Sequence, residues 1–351
     1  MSQEATGVQQ RLAYEEPQAL PLVVGVDLGG TQIRTAVLRG AELLSRIAWL
    51  TDEYPGPERT IPRIYEGIVQ ALDEARITLH DVAGIGIGAP GPLNGRTGVI
   101  FDPPNLHGWR NVPLRALLEE HFSMVKQHMI PVFVENDANA AALGEYMFGA
   151  GRGYRELVYL TISTGIGGGI IVDGKIVQGT SGTAGELGHM TIDWHGERCI
   201  CGNIGCLEYL ASGTAIARRA NQAIAAGQGS ELLTFAHSLQ QQTGGQNIHV
   251  SASTVAEAAQ AGISLAEKII AEAAEAIGVG LVNIAHIFNP EVIILGGGVT
   301  LIGSLLMEPA LRIFQERTMQ IPRNAARIVL AQLGTDVGLV GAGALVYCNL
   351  L

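Results

Sequence analysis

The sequence predicts an α/β protein with two lobes, and three observations support this class. The 351 residues exceed the roughly 100–200 residues of a usual single domain. Short apolar runs alternate with longer helical patterns, which is typical of α/β folds. A layout of strand, glycine-rich turn and strand occurs twice in the chain, which suggests two similar lobes that each contribute a turn to a shared cleft. The alternative, that any two hairpins look alike, stays open.

The first half of the chain carries the first of these hairpins. Residues 1–20 are polar and acidic, and we interpret them as a flexible N-terminal arm. Residues 22–26 and 33–38 are predicted strands on either side of a turn with the sequence Asp-Leu-Gly-Gly-Thr. Further predictions for this half are buried strands at residues 83–87 and 130–134, and helices at residues 61–75 and 112–121.

The second half repeats the layout. Residues 157–163 and 170–172 are predicted strands around a glycine-rich turn at residues 164–169, and a turn at Asp173-Gly174 leads to residues 175–177. Ser264 and Glu267 have capping-box spacing and are predicted to open a helix that runs to about residue 288. The remaining predictions are strands at residues 291–295 and 326–331, and a helix from 337 to about 346 that could pack back on the first lobe.

These elements give a predicted division into lobes. The N-terminal lobe comprises residues 21–137 plus 334–351, and the C-terminal lobe comprises residues 138–333 with a metal-binding loop at residues 189–206.

Composition disfavours several classes of partner. Lys and Arg total 22 against 33 Asp and Glu, and a net charge of −11 repels nucleic-acid backbones and anionic membranes. The N-terminus lacks the apolar core of a secretory signal. The longest apolar run, residues 292–307, is shorter than the roughly 18–20 residues that span a bilayer. We therefore expect a cytoplasmic protein that binds neither nucleic acid nor membrane.

The residues Gly86-Ile87-Gly88-Ala89-Pro90-Gly91 match the three-glycine pattern of dinucleotide-binding proteins. That pattern requires a helix to open at the third glycine, and prolines at positions 90 and 92 prevent it. We predict a tight loop beside a ligand here instead of a nicotinamide site.

The two glycine-rich turns together predict a nucleotide site. Each combines backbone N–H groups with hydroxyl side chains, the groups that cradle phosphate, and Asp27 at a strand end could hold Mg²⁺ through water. A structural turn with a capping aspartate is the alternative for the first turn. The residues assigned to this site from the turns are Asp27, Gly29, Gly30, Thr31, Thr161, Thr164 and Gly165.

A strand delivers Glu135, Asn136 and Asp137 to the start of an alanine-rich helix. A carboxylate positioned on rigid elements can remove the proton of a substrate hydroxyl during phosphoryl transfer. Asp137 is the candidate base, although an aspartate at a helix start is also an ordinary N-cap.

Three of the four cysteines lie close together in sequence, which predicts a metal site. His189, Cys199, Cys201 and Cys206 supply four nitrogen and sulfur ligands, enough for a closed, structural zinc site. Buried free thiols or a redox pair are the alternatives. Cys348 is expected to be a core thiol. A metal-bound loop would fix nearby carboxylates and an imidazole in an arrangement suited to polyhydroxylated ligands.

With these residues in place, the chain resembles the ROK family of repressors and sugar kinases, within the actin-like ATPase superfamily. The resemblance covers nearly the whole chain, through VDLGGT, NLHGW, ENDANAAALGE, STGIGGG, GELGH, CICGNIGCLE and LGGG. The cysteine loop with GELGH is its most specific part. It implies two RNase-H-like lobes with the active site in a cleft between them.

The resemblance also implies roles for individual residues. Asp137 would remove the proton of the sugar's 6-hydroxyl, and His189 would bind zinc through one ring nitrogen and sugar through the other. The sugar-binding residues would be Asn105, Asn136, Asp137, Glu186, His189 and Glu208. ATP phosphates would lie at Gly30, Thr31, Thr164 and Gly165, with adenosine near Gly297 and Gly298. Many members have lysine after the first-turn threonine, where this chain has Gln32.

We therefore expect an ATP-dependent hexose 6-kinase that uses Mg²⁺ and a structural Zn²⁺, with glucose as the first candidate substrate and N-acetylmannosamine as the alternative. The family's repressors carry a winged helix–turn–helix domain, whereas about 20 residues precede Leu22 here. A sugar sensor without activity would be expected to lack Asp137. The resemblance further implies a homodimer or homotetramer.

Overall fold

The computed structural model describes residues 20–51, 55–126, 129–243 and 250–350. The predicted N-terminal arm, residues 1–20, lies outside these ranges except for Leu20, which is buried. In chain order the strands are β1 Leu22–Leu28, β2 Gln32–Arg39, β3 Glu42–Leu43, β4 Ile47–Leu50, β5 Val82–Ala89, β6 Leu93–Asn94, β7 Val99–Ile100, β8 Val112–Pro113, β9 Val132–Asn136, β10 Leu157–Ile162, β11 Ile166–Val172, β12 Lys175–Ile176, β13 Val292–Gly296 and β14 Arg327–Leu330.

The α-helices lie between and after these strands, and every predicted helix is confirmed within a few residues. They are α1 Pro57–Ala75, α2 Leu114–Lys126, α3 Asp137–Phe148, α4 Leu207–Ala211, α5 Gly213–Ala225, α6 Ser230–Thr243, α7 Ala252–Gln260, α8 Ser264–Phe288, α9 Ser304–Arg317, α10 Gln320–Ala325 and α11 Val337–Leu350. Short 3₁₀ turns include Leu187–His189 and Gly298–Ile302.

The described strands form two large sheets with the same internal order and a small sheet of order β6-β7-β8. The first sheet runs β3-β2-β1-β5-β9, with β4 paired to β2, and the second runs β12-β11-β10-β13-β14. In the first sheet β1 lies between β2 and β5, and in the second β10 occupies the corresponding place between β11 and β13. The repeated hairpin read from the sequence is part of a repeated sheet topology, and not a chance likeness of two turns.

The first sheet is antiparallel at β1–β2 and parallel at its other inner pairs. Val23 is opposite Leu38 in the hairpin, while Val24 pairs with Ile85 of β5 in parallel register. Strand β5 in turn pairs in parallel with β9. The hydrophobic core beside this sheet contains buried side chains of α1 and of the strands, including Ile64, Ile68, Val26 and Ile87. The three parallel strands therefore end at one edge.

By its internal contacts the chain divides into two compact units. The first comprises Met1–Tyr159, Gly169–Gly185 and Leu330–Leu351, and the second comprises Leu160–Gly168 and Glu186–Val329. Helix α3 falls in the first unit, so these units differ in part from the predicted lobes. The lobe boundaries at residues 137 and 334 stay a prediction.

Helix α11 packs on the first sheet, and this contact explains the glycine pattern at residues 86–91. A Cβ atom on Gly86 would lie 1.8 Å from the Ala342 carbonyl oxygen of α11. Gly86 and Gly88 lie inside β5 and not in a loop, so the predicted tight loop beside a ligand is wrong for these two glycines. The glycine at position 86 lets a helix lie against the strand. The predicted return of the C-terminal helix to the first lobe's sheet is confirmed.

Three other local predictions are corrected by the structure. The second glycine-rich turn was predicted at residues 164–169, but β11 already begins at Ile166, so the turn is shorter. Ser264 does not cap α8, because it is the first helical residue and Ile263 occupies the N-cap position without a side-chain hydrogen bond. Cys348 is exposed and not a core thiol, although burial of its sulfur, 3.4 Å from Met147 Sδ, raises the pKa of Cys348 to about 12.

Helix α8 is the apolar centre of the second unit. By length and composition alone it is the single helix of the described residues that could cross a bilayer. Two thirds of its apolar window, 67%, is buried inside the protein. Its buried side chains include Ile269, Ile270, Ile277 and Leu281. Burial on this scale is typical of a core helix.

A buried carboxylate fixes the end of α3 in the first unit. Glu145 is fully buried, and its Oε1 accepts hydrogen bonds of 2.9 Å from the backbone N–H groups of both Gln332 and Leu333. Its Oε2 accepts a third from Ala150 N at 2.7 Å. Buried charge is tolerated when several donors surround it. Glu145 therefore connects α3 to the segment that leads into α11.

We expect Glu145→Gln to lower the free energy of unfolding by about 1–3 kcal/mol, because an amide nitrogen cannot accept the Ala150 hydrogen bond. Urea denaturation followed by circular dichroism measures this change. The exposed Glu74→Gln on α1 is the matched control and should leave stability unchanged within about 0.5 kcal/mol. Equal stability of the two variants would contradict the structural role of Glu145.

Candidate active site

The carboxyl ends of three parallel strands bring the first group of candidate residues to one edge of the first sheet. Asp27 near the end of β1 pairs with Gly88 of β5. Ala89 of β5 pairs with Asn136 at the end of β9. Ligands of open α/β sheets bind at such an edge. Asp27, the turn that follows it, Asn136 and Asp137 therefore belong to the same face of the first unit.

The first glycine-rich turn is held by hydrogen bonds to its own hairpin and to β4. Gly29 N donates to the Gln32 carbonyl oxygen at 2.8 Å, and Thr51 Oγ1 donates to the Gly29 carbonyl oxygen at 2.8 Å. Thr51 N donates to the Thr31 carbonyl oxygen at 2.8 Å. The side chain of Thr31 is exposed, as is that of Gln32. A fixed backbone with an exposed hydroxyl can receive a phosphate group.

Asn105 lies directly beside this turn. A Cβ atom at Gly30 would be 2.9 Å from the Asn105 carbonyl oxygen, so only glycine allows this approach. The Asn105 loop is anchored by buried Leu106 and Trp109, while Asn105 itself is exposed. The structure thus brings together a predicted sugar residue and a predicted phosphate residue of the first unit.

Asp27 is paired with a cation. Arg34 of β2 donates from Nε to Asp27 Oδ2 at 2.9 Å and makes a second, shorter bond from Nη2 to the same oxygen. Arg34 Nη1 donates to the Thr335 carbonyl oxygen at 2.7 Å. The alternative that Asp27 caps the first turn is not supported, because the Asp27 carboxylate accepts hydrogen bonds from Arg34. Its role toward Mg²⁺ stays a prediction.

Asn136, and not Asp137, caps helix α3. Asn136 Oδ1 accepts hydrogen bonds from Ala138 N at 2.9 Å and Asn139 N at 3.2 Å. Asp137 is the first helical residue, its carboxylate is exposed, and its Oδ1 lies 2.8 Å from Ala138 N. The alternative that Asp137 is the N-cap of this helix is therefore wrong, because Asn136 occupies that position. Because the Asn136 oxygen is engaged, its amide nitrogen is the group that remains to donate to a ligand.

The residue before this pair is a buried carboxylate with three donors. Glu135 Oε1 accepts from Asn136 N at 2.9 Å and from Asn139 Nδ2 at 3.1 Å. Its Oε2 accepts from Gln178 Nε2 at 2.5 Å. Glu135 is 2% exposed, so it holds the strand-to-helix junction and does not face solvent. This network fixes the backbone that carries Asp137.

In the second unit the four predicted metal ligands converge. The His189 ring nitrogen and the sulfurs of Cys199, Cys201 and Cys206 all lie within 4.8 Å of one another. Cys201 Sγ and Cys206 Sγ are 3.7 Å apart, and Cys199 Sγ is 3.9 Å from His189 Nδ1. Burial raises the pKa of the Cys206 thiol, and the neighbouring thiols of Cys201 and Cys199 add to this shift.

The polypeptide around this cluster is ordered by backbone pairing. Isolated bridges join Thr191 to Cys206 and Arg198 to Ile204. Leu207 N donates to the Met190 carbonyl oxygen at 3.0 Å, which places the start of α4 beside the 3₁₀ turn that carries His189. The loop therefore brings distant ligands together through its own hydrogen bonds.

Both predicted sugar-binding carboxylates of the second unit lie at the ends of this loop. Glu186 Oε2 is 3.9 Å from His189 Nε2, the ring nitrogen that faces away from the thiols. Burial raises the pKa of Glu186, the His189 ring acts against this shift, and the Glu208 carboxylate adds to it. Glu208 Oε2 accepts a hydrogen bond of 2.7 Å from Ile166 N, beside the second glycine-rich turn.

A cavity of about 1100 Å³ opens in the second unit, above the several hundred cubic ångströms typical of small-molecule sites. Thr164 and Gly298 line it, together with Ser163, Thr214 and Val299. Gly297 lies at the N-cap of the adjoining 3₁₀ turn, where a Cβ atom would be 2.3 Å from the Ile162 carbonyl oxygen. Thr161 is a residue of β10, and neither it nor Gly165 is among the lining residues.

Sequence reasoning missed the helix that forms one wall of this cavity. The wall is formed by one face of α5, whose lining residues are Gly213, Thr214, Ala217, Arg218, Asn221, Gln222 and Ala225. Their spacing of three and four positions is that of one helical face. This face contains polar and small residues instead of the apolar stripe of a helix that packs on a core. That difference is the feature of the sequence that could have identified the wall.

Two sheets of one strand order, each with a hairpin whose tip is a glycine-rich turn, define the class of the actin-like ATPase folds. Within this class the chain belongs to the ROK family, whose model matches residues 23–348. The family and fold class predicted from the sequence are therefore confirmed.

Individual relatives cover nearly the whole chain. A glucokinase of Halalkalibacterium halodurans is 37% identical over 325 residues, which is 92% of this chain and 94% of that protein. The crystal structure of a ROK family glucokinase from Streptomyces griseus, in complex with glucose and AMPPNP, is 36% identical with a TM-score of 0.75, covering 92% of this chain and 97% of that one. A xylose repressor of Caldicellulosiruptor bescii is 30% identical over 336 residues, 94% of this chain and 79% of the repressor.

Proposed function

We propose that this protein is an ATP-dependent kinase that phosphorylates the 6-hydroxyl group of a hexose, with glucose as the preferred substrate. The observation that carries the proposal is the near-full-length similarity to glucokinases, one of which was crystallised with glucose and AMPPNP. N-acetylmannosamine kinase stays the alternative activity. A transcriptional regulator is less supported, because the repressor shares lower identity and a smaller part of its length.

Asp137 is proposed as the base. It occupies the first position of α3, where the Asn136 cap and the buried Glu135 network fix the backbone. The carboxylate would take the proton of the attacking hydroxyl as the phosphoryl group is transferred in line. Positioning and electrostatic stabilisation supply most of the catalysis in this reaction, so rigid support of a single carboxylate is the structural requirement.

The remaining hydroxyl groups of the sugar need donors and acceptors in fixed places. We assign this role to Asn105, Asn136, Glu186, His189 and Glu208. His189 Nε2 faces Glu186 while Nδ1 faces the thiols, so one ring can serve metal and sugar through different nitrogens. Glu208 accepts a hydrogen bond from Ile166 N, beside the turn that we propose binds phosphate. This position suits a residue that binds the sugar close to the nucleotide.

A zinc ion fits the four-ligand cluster. Zn–S bonds of about 2.3 Å in a tetrahedron require sulfur atoms about 3.8 Å apart, close to the 3.7 Å between Cys201 and Cys206. With four protein ligands, the ion would fix the loop and would not activate water. Mg²⁺ would arrive with the ATP phosphates, with Asp27 and Thr31 as the nearest candidates to hold it in the first unit.

The wider setting follows from the same similarity. We propose a cytoplasmic location, in keeping with the buried apolar helix α8 and the acidic net charge. A homodimer or homotetramer, and the absence of nucleic-acid binding, are part of this proposal.

A panel of hexoses and N-acetylhexosamines with Mg-ATP, followed by coupled detection of ADP, tests the activity. We expect the highest kcat/KM for glucose, because relatives that are 37% identical over 92% of this chain are glucokinases. A higher value for N-acetylmannosamine would support the alternative. Failure to phosphorylate any sugar, combined with a shift of operator DNA in a gel, would replace the kinase with a regulator.

We expect Asp137→Asn to lower kcat by about 10²–10⁴-fold, the range for loss of a general base, with glucose still bound. Steady-state kinetics and calorimetric glucose titration measure the two effects. Asp173→Asn, in an exposed hairpin turn, is the matched control. Turnover near the wild-type value would remove Asp137 from the mechanism.

We expect Cys201→Ser to abolish stoichiometric zinc and to weaken glucose affinity more than ATP affinity, because Glu186, His189 and Glu208 lie on the loop that the metal fixes. Plasma emission spectrometry and calorimetric titration measure these effects. The exposed Cys348→Ser, outside the cluster, is the matched control. A wild-type protein that purifies without zinc and binds none on addition would contradict the site.

A further inference from the structure

The cavity of the second unit has one cationic side chain in its wall. Among the described residues that line it, Arg218 of α5 is the single arginine or lysine, and Glu257 of α7 is the acidic one. A nucleoside triphosphate carries several negative charges, and a cationic side chain in the wall of a cavity can compensate them.

The N-terminus of α5 lies at the cavity, but its first backbone N–H groups already donate hydrogen bonds within the protein. Gly213 N donates to the Ser163 carbonyl oxygen at 2.7 Å, and Thr214 N to the Thr164 carbonyl oxygen at 3.3 Å. The Ser212 hydroxyl caps Ala215 N at 3.1 Å. Helix N-termini bind phosphate through unpaired N–H groups, and here those groups hold the glycine-rich turn instead.

Arg218 lies one helical turn beyond that N-terminus and is held in a defined orientation. Its guanidinium carbon lies 3.6 Å from the centroid of the Tyr209 ring, and its Nη2 donates to the Tyr209 carbonyl oxygen at 2.7 Å. Stacking and one hydrogen bond restrict the side chain, while Nε and Nη1 keep their donor directions. A guanidinium held in this way loses little entropy when it binds an anion.

Tyr209 in turn is attached to the metal-binding loop. Its hydroxyl donates to Glu197 Oε2 at 2.7 Å, and Glu197 lies two residues before Cys199. The Gly205 N–H group donates to the Glu197 carbonyl oxygen at 2.9 Å, which ties this residue to the loop's own hydrogen bonding. A continuous set of contacts therefore runs from the cysteine loop through Tyr209 to Arg218 at the cavity.

The carboxylate of Glu208 increases the need for this cation. It sits at Ile166 N, next to the turn that includes Thr164. A carboxylate near a phosphate site repels the ligand unless an opposite charge compensates. Arg218 is the single cation among the described residues that line the cavity, so it is the side chain that can do so.

We propose that Arg218 binds the phosphate groups of the nucleotide in the second-unit cavity, and that Tyr209 and Glu197 position it for this contact. The inference rests on the proposed kinase function and specifies the residue that discriminates nucleoside polyphosphates from nucleosides. Arg218 is thus a substrate-binding residue, and Tyr209 is a positioning residue that acts through it.

Calorimetric titration of the full-length protein with Mg-ATP, Mg-ADP and adenosine tests the proposal. We expect Arg218→Gln to weaken ATP and ADP about 10- to 100-fold, the effect of a lost charge-assisted contact, with adenosine affinity unchanged within about twofold. Arg218→Lys should recover part of the ATP affinity. Arg219→Gln is the matched control on the same helix, because Arg219 pairs with Glu272 and is outside the cavity wall.

Each outcome decides between the possible roles. An equal loss for ATP and adenosine in Arg218→Gln, or no recovery by lysine, would make Arg218 a packing residue and overturn the proposal. Normal wild-type ATP binding with unchanged Arg218→Gln affinity would overturn this inference alone. A wild-type protein that binds glucose but no nucleotide would overturn the kinase function, and this inference with it.

The Tyr209→Phe variant tests whether Tyr209 positions Arg218 or only supports the fold. The variant keeps the ring under the guanidinium and removes the hydrogen bond to Glu197. We expect the ratio of ATP to adenosine affinity to fall about two- to fivefold with zinc content unchanged. A ratio equal to that of the wild type would overturn the part assigned to Tyr209.

Discussion

The parallel register of β1, β5 and β9 is the constraint on which the first unit's chemistry depends. Because Asp27 pairs with Gly88 and Ala89 pairs with Asn136, the three strands end at one level. The glycine-rich turn, the capping asparagine and the exposed aspartate all follow from that shared edge. Close packing of α11 at Gly86 supports the central strand from behind, so the edge is held by the sheet's core and not by its loops.

Burial separates two carboxylates that stabilise this unit from a third that is exposed. Glu135 and Glu145 are almost completely buried, and each accepts three hydrogen bonds from protein donors. An unpaired buried carboxylate would cost several kcal/mol, so these donors are required by the fold. Asp137 lies between them in sequence yet is exposed at a helix start. Two of these three acidic residues are therefore structural, and the exposed one, Asp137, is the residue that we propose as the base.

The sequence predicted the elements and the clustering of the four candidate metal ligands well, because both depend on local pattern. Apolar runs located β1, β5, β9 and α8, and the close spacing of Cys199, Cys201 and Cys206 identified their common site. Contacts between distant segments could not be predicted in this way. The glycine at position 86 suggested a ligand loop, whereas its cause is a helix that comes from the other end of the chain. The cavity wall on α5 was missed because its residues carry no familiar motif.

In the second unit the cysteine loop and the cavity are connected through two neighbouring residues. Glu208, at the start of α4, accepts a hydrogen bond from Ile166 N beside the second glycine-rich turn, while the ring of Tyr209, the next residue, stacks on Arg218. Adjacent residues on a short helix thus connect the cysteine loop to that turn and to the cavity wall. A rigid loop transmits its geometry through such contacts because each hydrogen bond leaves few alternative positions. An ion bound at the cysteines would therefore influence more than the carboxylates proposed to bind sugar, since Tyr209 and Glu197 also orient Arg218 in the cavity wall.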